Sequence, residues 1–393
     1  MNCYLNALGL ISPLGSGQAA NHAALLAGQR ALQPASAGWL AQPVQVGAVT
    51  ASLPALPPAC ADMQSRNNQL LYAAALQIDA EIRAAISRYG AGRVAVVLGS
   101  STSGVAETER YLAEMHAGQP PAPYRYERQE MSDPARFIAR LYDLSGPAYV
   151  VSTACSSGGR ALLAARRLLR MGLADVVICG AADSLCRLTL NGFAALESVS
   201  AGECQPFSAS RDGINIGEGA ALFLMSREAG TVRLAGVGSS SDAHHISAPQ
   251  PDGLGAIAAM QAALADAGMM PEHVDYLNLH GTATPLNDAM ESRAVAAVFG
   301  SAQPPASSTK ALTGHMLGAA GALEAAFCWL LLQESAGELP PQVNDGQFDP
   351  SLPALHWPLS GRRYTTRVAM SNSFAFGGNN ISLILTGQHG APT

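Results

Sequence analysis

Short apolar segments, separated by longer stretches rich in Ala and Leu, recur along the chain. They predict buried strands at residues 93–100, 147–153, 174–182, 220–226, 231–239, 274–281, 367–373 and 381–387. Two of the stretches between them, 156–172 and 255–268, have the small and apolar side chains of buried helices. Strands that alternate with helices in this way are typical of a layered α/β fold.

The two halves of this pattern resemble each other. Residues 151–172 and 307–327 each have a Ser-Thr pair at their second and third positions, pass through a turn of small residues and enter an alanine-rich helix. Each segment is followed by a buried strand that ends in a loop of small residues. Duplication of an α/β unit explains this similarity. We therefore predict two pseudo-symmetric halves, at residues 1–229 and 230–393.

Composition and charge restrict the possible functions. The chain of 393 residues is 48% hydrophobic, carries a formal net charge of −6 and contains 13% charged residues. This balance argues against a general role in binding nucleic acid. No apolar run reaches the roughly 18 residues of a membrane span, and the N-terminal residues do not resemble a signal peptide. The seven cysteines are scattered without a CxxC pair, so we expect a soluble protein of the reducing cytoplasm.

One cysteine has the surroundings of a nucleophile. Cys155 lies in the segment STACSSGG, between a predicted buried strand and a predicted helix. The free N–H groups and the dipole of a helix stabilise a thiolate at this position, and the thiolate is the reactive form of a catalytic cysteine. An arbitrary buried cysteine is more often a small hydrophobic residue, but the flanking Ser, Thr and Gly residues predict an open turn.

Two histidines occupy similar positions in the second half. His280 ends a predicted strand at the start of HGTATPLND, and His315 lies where TKALTGHMLGAAG enters a helix. Their spacing is not that of a metal-binding HExxH pair. Acid–base chemistry or hydrogen-bond donation is therefore the better prediction for both.

The ordered motifs of the chain resemble those of β-ketoacyl-acyl-carrier-protein synthases of the type I/II kind, which are condensing enzymes of the thiolase-like superfamily. The motifs are STACSSG at 152–158, HGTATPLND at 280–288, STKALTGHMLGAAGALE at 308–324 and NSFAFGGNN at 372–380. Further matches at 12–15, 205–220 and 242–256 extend the resemblance over essentially the whole chain. It implies a thiolase-like, five-layered αβαβα fold with two pseudo-symmetric halves.

The resemblance also implies an acyltransferase that elongates a fatty-acid, polyene or polyketide chain by decarboxylative Claisen condensation. Cys155 would hold the acyl chain, and the backbone N–H groups of Cys155 and Phe376 would form an oxyanion hole. His280 and His315 would donate hydrogen bonds to the malonyl thioester as it loses carbon dioxide. Phe376 would also act as the gate that admits the chain.

Supporting residues follow from the same resemblance. Lys310 is the only lysine of the chain; it would lie beside the catalytic centre and pair with Glu324. A compact ammonium differs from a planar, permanently charged guanidinium, which explains why a lysine remains in a chain that otherwise uses arginine. Thr282 and Thr284 would bind the pantetheine arm.

No cofactor and no metal are implied, because the substrates are carried on the phosphopantetheine arm of acyl carrier protein. The implied partners are this carrier protein and a second subunit, either an identical chain or a sister ketosynthase-like chain in a heterodimer. No nucleic acid and no membrane are expected as partners.

Several positions depart from the family pattern. Glycine is usual where this chain has Ala375, and threonine where it has Asn379, so the gating loop is expected to move less freely. Other departures are Ser208 and Ile214, together with Gln205 and Asn67, which stand where relatives carry basic residues that meet the carrier protein. Candidate substitutes for those basic residues are Arg66, Arg160, Arg166, Arg167 and Arg170.

Three other functions of related proteins fit the chain less well than an elongating ketosynthase. A chain-length factor shares this fold but characteristically lacks the nucleophile, whereas Cys155 is present here. A thiolase uses a second cysteine near the C-terminal end, and no cysteine follows Cys328. A CoA-priming synthase uses one histidine and one asparagine in place of two histidines. A mainly structural or chain-length-determining role within a ketosynthase/chain-length-factor pair stays open as the alternative.

Overall fold

In the computed structural model the apolar segments form a large mixed sheet with helices on its faces. The structure describes residues 1–36, 38–120 and 123–388, so the last five residues of the predicted second half lie outside it. The strands are β1 (Tyr4–Ser12), β2 (Gly15–Ser16), β3 (Gln33–Pro34), β4 (Gln45–Gly47), β5 (Val94–Gly99), β6 (Ala148–Val151), β7 (Val176–Asp183), β8 (Ile216–Gly217), β9 (Gly219–Ser226), β10 (Val232–Ser241), β11 (Tyr276–Asn278), β12 (Ala306–Ser307), β13 (Ala336–Gly337), β14 (Tyr364–Thr365), β15 (Val368–Ala375) and β16 (Asn379–Gly387).

Helices lie between many of these strands, and both stretches that the sequence predicts as helices are among them. They are α1 (Gln18–Leu26), α2 (Arg66–Leu76), α3 (Asp79–Tyr89), α4 (Val105–His116), α5 (Asp133–Leu141), α6 (Ser157–Arg170), α7 (Arg187–Ala195), α8 (Leu254–Ala267), α9 (Pro285–Phe299), α10 (Lys310–Thr313) and α11 (Ala320–Leu331). Within the described ranges, no helix combines the length and the apolar character needed to cross a membrane.

The strand order repeats between the two halves. In the first half the order is β1-β9-β7-β5-β6, and in the second it is β10-β16-β15-β11-β12. In both, the last three strands run parallel and the first two pairings are antiparallel. The two units meet where β1 pairs with β10, at Tyr4 and Arg233. This repetition agrees with the duplication that the sequence predicts.

Helices form the middle and outer layers. α6 and α11 pack against each other between the strands of the two units, and every residue of α11 is buried. α2 and α5 cover the first unit on its outer face, while α8, with α9 beside it, covers the second. The order of layers is therefore helices, strands, helices, strands, helices, which confirms the predicted thiolase-like αβαβα fold.

All eight predicted strands are present, and two strands of the repeated units were not predicted. β12 has only two residues, which is too short to show a period in the sequence. β1 alternates imperfectly because polar Asn6 interrupts its apolar residues. β11 ends at Asn278, earlier than predicted, because the following residues leave the sheet and turn into the site described next.

Candidate active site

Cys155 lies in the tight turn between β6 and α6. Ala154, directly before it, has φ 51°, a left-handed conformation that is uncommon for a residue with a Cβ atom. Hydrogen bonds hold the turn: the Ser156 hydroxyl donates to the Thr153 carbonyl at 2.8 Å, and the Thr153 N–H donates to the Ser157 hydroxyl at 2.8 Å. The turn fixes the direction of the Cys155 side chain, which is buried.

The structure brings Cys155, His280 and His315 together. Cys155 Sγ lies 2.9 Å from His315 Nε2, and one ligand-type atom of each of the three residues lies within 4.8 Å of the others. The two imidazole rings meet edge to face, with centroids 5.3 Å apart. Residues that are 160 positions apart in the chain thus share one site.

Hydrogen bonds set the tautomer of both imidazoles. The Leu317 N–H donates to His315 Nδ1 at 3.2 Å, and the Lys310 ammonium lies 3.3 Å from His280 Nδ1. A neutral imidazole that accepts at Nδ1 carries its proton on Nε2. Both histidines therefore present an Nε2–H donor, and that of His315 points at the Cys155 sulfur.

Lys310 and Glu324 form a buried ion pair behind the histidines. Lys310 Nζ lies 2.5 Å from Glu324 Oε1 and also donates to the His280 carbonyl. Burial, and next the nearby Lys310 ammonium, lower the pKa of His280 and of His315 well below the ordinary value for histidine. Burial raises the pKa of Glu324 to about 7, and Lys310 acts in the opposite direction. Both imidazoles are thus neutral at physiological pH.

The thiol of Cys155 behaves differently from the sequence-based expectation. Burial raises the pKa of Cys155 to about 12, whereas Lys310 and the backbone N–H groups of Cys155 and Phe376 act to lower it. The expected net stabilisation of a thiolate by the helix start is therefore outweighed by desolvation in the closed site. The backbone N–H groups of Cys155 and Phe376 nevertheless both lie near Sγ.

A cavity of about 310 Å³ leads to these groups. Cys155, His280 and His315 line it, together with Phe376, Thr282 and Thr284. The hydroxyls of Thr282 and Thr284 lie 2.9 Å apart, so this face of the cavity offers polar contacts. Every predicted site residue therefore lies in the cavity wall or directly behind it.

The sequence did not reveal several residues that position the site. Glu291 accepts hydrogen bonds from the backbone N–H groups of His280 and Gly281, at 2.8 and 2.7 Å. The ring of Phe193, on α7, lies with its centroid 5.4 Å from that of Phe376. Such contacts join a side chain to a distant backbone group or ring, and no local motif announces them.

The donor set of a cysteine and two histidines is also one that zinc accepts. A tetrahedral zinc would keep a bound sulfur and a bound nitrogen about 3.5 Å apart, whereas Cys155 Sγ and His315 Nε2 are 2.9 Å apart. The Lys310 ammonium beside His280 would also repel a cation. The arrangement therefore fits hydrogen bonding better than metal binding.

The structure corrects one expectation about the family departures. Asn67 is fully buried and donates to the Ala182 carbonyl at 3.2 Å, so this position is not on a docking surface. Arg66 pairs with buried Glu218 at 2.5 Å, and Arg166 pairs with Asp266 at 2.6 Å. These two arginines are committed to internal contacts.

Two of the other departures line the cavity, and Ser208 is not part of its lining. Ile214 lines it, and Ala375 pairs with Asn379 across the β15–β16 hairpin that carries Phe376. Ala375 has φ −104° and ψ 156°, an ordinary extended conformation, so its methyl group does not strain the hairpin. Ser208 is buried and donates to Asp345 at 2.8 Å.

Comparisons with known proteins agree with this geometry. A family model for the β-ketoacyl synthase N-terminal domain matches residues 9–230, and one for the C-terminal domain matches residues 231–345. The 3-oxoacyl-(acyl-carrier-protein) synthase 2 of Coxiella burnetii is 32% identical over 407 residues, covering 97% of each chain. The mitochondrial 3-oxoacyl-(acyl-carrier-protein) synthase of Arabidopsis thaliana is 38% identical, and the match spans 63% of this chain but only 58% of that relative.

Solved structures give the same result. A chain from the complex of the ketosynthase ApeO with its chain length factor ApeC, from Xenorhabdus doucetiae, is 45% identical and superimposes with a TM-score of 0.94, covering 98% of both chains. With matching domain models over most of its length and a full-length relative, the chain belongs to the β-ketoacyl synthase family.

Proposed function

We propose that this protein is an active elongating β-ketoacyl-ACP synthase, with Cys155, His280, His315 and Lys310 as its catalytic residues. The observation that carries the proposal is the convergence of a thiol and two neutral Nε2–H donors in one cavity. The nucleophile comes from the first half and the donors from the second. We further propose that these halves divide at residues 229 and 230.

Acyl loading would use the first-half turn. The Cys155 sulfur attacks the thioester carbonyl of an acyl carrier protein, a new C–S bond forms, and the pantetheine thiol leaves with the proton of Cys155. Negative charge develops on the carbonyl oxygen during this step. The N–H groups of Cys155 and Phe376 would stabilise that oxygen, and such a donor is worth about 3–4 kcal/mol.

Condensation would use the second-half histidines. The Nε2–H groups of His280 and His315 donate to the thioester oxygen of malonyl carrier protein, which stabilises the enolate formed when the C–C bond to the carboxylate breaks and carbon dioxide leaves. The enolate carbon then attacks the acyl carbonyl, and the C–S bond to Cys155 breaks. Because burial and next the Lys310 ammonium lower the pKa of both imidazoles and keep them neutral, they act as donors without a permanent charge.

The carrier protein is the proposed macromolecular partner. Its pantetheine arm would lie along the face with Thr282 and Thr284, which line the cavity. The substrates thus arrive on the carrier, and we propose that the reaction uses no metal and no further cofactor. All seven cysteines are free and buried, which supports a reducing cytoplasm as the compartment.

A second subunit is also part of the proposal. β6 is the edge strand of the first unit, and Tyr149 on it is 36% exposed. An unpaired edge with an exposed aromatic side chain favours pairing with another chain. The similar complex of ApeO and ApeC joins a ketosynthase to a chain length factor, so the partner here is either an identical chain or a sister chain. In a heterodimer this chain would be the subunit that carries the nucleophile.

Intact-mass measurement tests the function. The protein is incubated with acyl carrier proteins that carry chains of different lengths, and its mass is compared with that of a Cys155→Ala variant. We expect the mass of one acyl group on the wild type and none on the variant. Absence of acylation with every chain length, in the presence and absence of a sister subunit, would contradict the proposal. Light scattering of the active form then separates a dimer from a monomer.

A further inference from the structure

Helix α7 lies at the mouth of the active-site cavity and is weakly held. Leu190 is its only residue that is fully buried. Its residue Phe193 lines the cavity and lies with its ring centroid 5.4 Å from that of Phe376. The position of α7 therefore decides what the gating ring rests against.

The start of α7 is capped from another helix. Glu109, on α4, accepts a hydrogen bond from the Arg187 N–H at 2.9 Å through Oε2 and one from the Leu188 N–H at 2.6 Å through Oε1. Cys186, directly before the helix, provides no side-chain cap. The first N–H groups of a helix have no partner within it, and a carboxylate there also interacts favourably with the helix dipole. Glu109 thus supplies what the local sequence lacks.

α7 has two further attachments. Asn191 donates to the Trp39 carbonyl at 3.0 Å, and Leu190 and Phe193 belong to a small apolar cluster that includes Leu317. The N–H of Leu317 donates to His315. A shift of α7 would consequently reach the gate and the backbone that orients His315.

We propose that Glu109 is a positioning residue for the gate. Its carboxylate fixes α7, and α7 holds Phe193 against Phe376, so that the Cys155 thiol is shielded until an acyl chain enters. The identity of the entering chain rests on the proposed function. The shielding itself does not, because it concerns only access to the thiol.

The same helix provides a matched control. Glu107 accepts a hydrogen bond from the Arg66 N–H at 2.9 Å and so contacts the start of α2 as Glu109 contacts the start of α7. No residue of α2 lines the cavity. Replacing Glu107 therefore removes a hydrogen bond between α4 and α2 and leaves both hydrogen bonds from Glu109 to α7 in place.

Alkylation of Cys155 measures the gate directly. The rate is measured with iodoacetamide and with a bulky iodoacetyl dye, by mass spectrometry of the tryptic peptide 141–160, in which Cys155 is the only cysteine. Both reagents require the thiolate, so a change in thiol pKa cancels in the ratio of the two rates. The ratio therefore reports access alone.

We expect Glu109→Ala to raise the ratio of the alkylation rate with the bulky reagent to the rate with the small reagent about fivefold. This factor corresponds to the free energy of one lost helix cap. Phe193→Ala should raise it at least as much, and the double variant should match Phe193→Ala alone. Glu109→Gln, which keeps one acceptor oxygen, should give a smaller rise and serves if the alanine variant does not fold. Glu107→Ala should keep the wild-type ratio.

Three results would overturn the proposal. The first is a wild-type rate ratio in Glu109→Ala or, if that variant does not fold, in Glu109→Gln. The others are a double variant in which the effects of Glu109→Ala and Phe193→Ala on the rate ratio add in full, and a rise of the ratio in Glu107→Ala equal to that in Glu109→Ala. None of these measurements needs acyl transfer. Failure of the ketosynthase assay would therefore leave this test intact, and failure here would not bear on the chemistry of Cys155.

Discussion

The two halves of the molecule build the same crossover and place different chemical groups on it. In the first half, residues 152–156 connect β6 to α6 in a single tight turn, and the turn presents one thiol. In the second half, residues 308–319 connect β12 to α11 and include the short helix α10. The longer crossover buries Lys310, which pairs with Glu324, and His315, whose Nε2 lies 2.9 Å from the Cys155 sulfur. The same frame thus carries a thiol on its short crossover and an ammonium and an imidazole on its long one.

The largest effect is expected at the longer crossover. Lys310→Ala leaves Glu324 as an uncompensated buried carboxyl, and breaking such a pair costs about 3–5 kcal/mol. Urea unfolding should show this loss, and a Lys310→Met, Glu324→Leu double variant should recover most of the stability without recovering condensation. A Lys310→Ala protein within about 1 kcal/mol of wild type would show that the pair contributes little.

Lys310→Arg changes the same ion pair while keeping the positive charge. A planar guanidinium cannot occupy the place of a compact ammonium between Glu324 and the His280 carbonyl without moving one of them. We expect a folded protein with an intact loading step and slow condensation. Unchanged turnover in the arginine variant would mean that a lysine is not required at this position.

The next effect separates loading from decarboxylation. His280→Ala should lower malonyl decarboxylation by about 10²–10³-fold, because one donor to the developing enolate is lost, and should leave loading of Cys155 nearly unchanged. His315→Ala should lower decarboxylation equally and loading by about tenfold, because its Nε2–H also contacts the sulfur. Single-turnover acylation and carbon dioxide release measure the two steps. Equal losses of both steps in both variants would contradict this division of labour.

The pH dependence should differ between the halves. Because burial raises the pKa of Cys155 to about 12, the loading rate should rise about tenfold per pH unit between pH 6 and 8 as the thiolate fraction grows. Decarboxylation without an acyl chain should stay flat over that range, because both histidines are already neutral. A decarboxylation rate that falls as the pH is lowered, with a midpoint near pH 6.5, would show that an imidazole retains its ordinary pKa.

Stability should follow the same histidines. Their pKa in the folded protein is lowered, so the unfolded chain binds more protons once the pH falls below the ordinary value of about 6.5. Their contribution to stability is therefore complete above that value and is lost as the pH falls towards the lowered folded-state pKa. Urea midpoints of the wild type and of the His280→Ala variant should converge as the pH is lowered from 7 to 5.

The smallest effect is expected at the gate. Ala375→Gly keeps the extended conformation available and adds other backbone conformations. Glycine in a strand lowers stability by about 0.5–1 kcal/mol relative to alanine. Loading should become about threefold faster, with a slightly lower melting temperature. Gly378→Ala is the opposite test: its φ is 72°, and a Cβ atom would lie 2.3 Å from the Asp242 carbonyl oxygen, so the closed hairpin should be lost. Rapid-quench acylation compares the two variants, and equal rates in both would rule out a role for this hairpin in loading.

The strands of the frame and the candidate residues Cys155, His280 and His315 could be found in the sequence because they have local signatures. Apolar periodicity located the long strands, and motif order located Cys155, His280 and His315. Glu291, Leu317 and Phe193 were not predicted, because each acts through a backbone group or ring that is close only after folding. The net pKa shift of Cys155 was predicted with the wrong sign, since a sequence shows the helix start beside the thiol but not the depth at which folding buries it.

The single ammonium side chain of the protein is buried beside His280, where Lys310 is 1% exposed. Apart from the chain terminus, the surface thus offers no primary amine to an acylating or reductively methylating reagent. Amine labelling, which usually maps the outside of a protein, would here report transient opening of the inside. Isotopic methylation of Lys310 could therefore report transient opening of this buried region during turnover without an introduced probe.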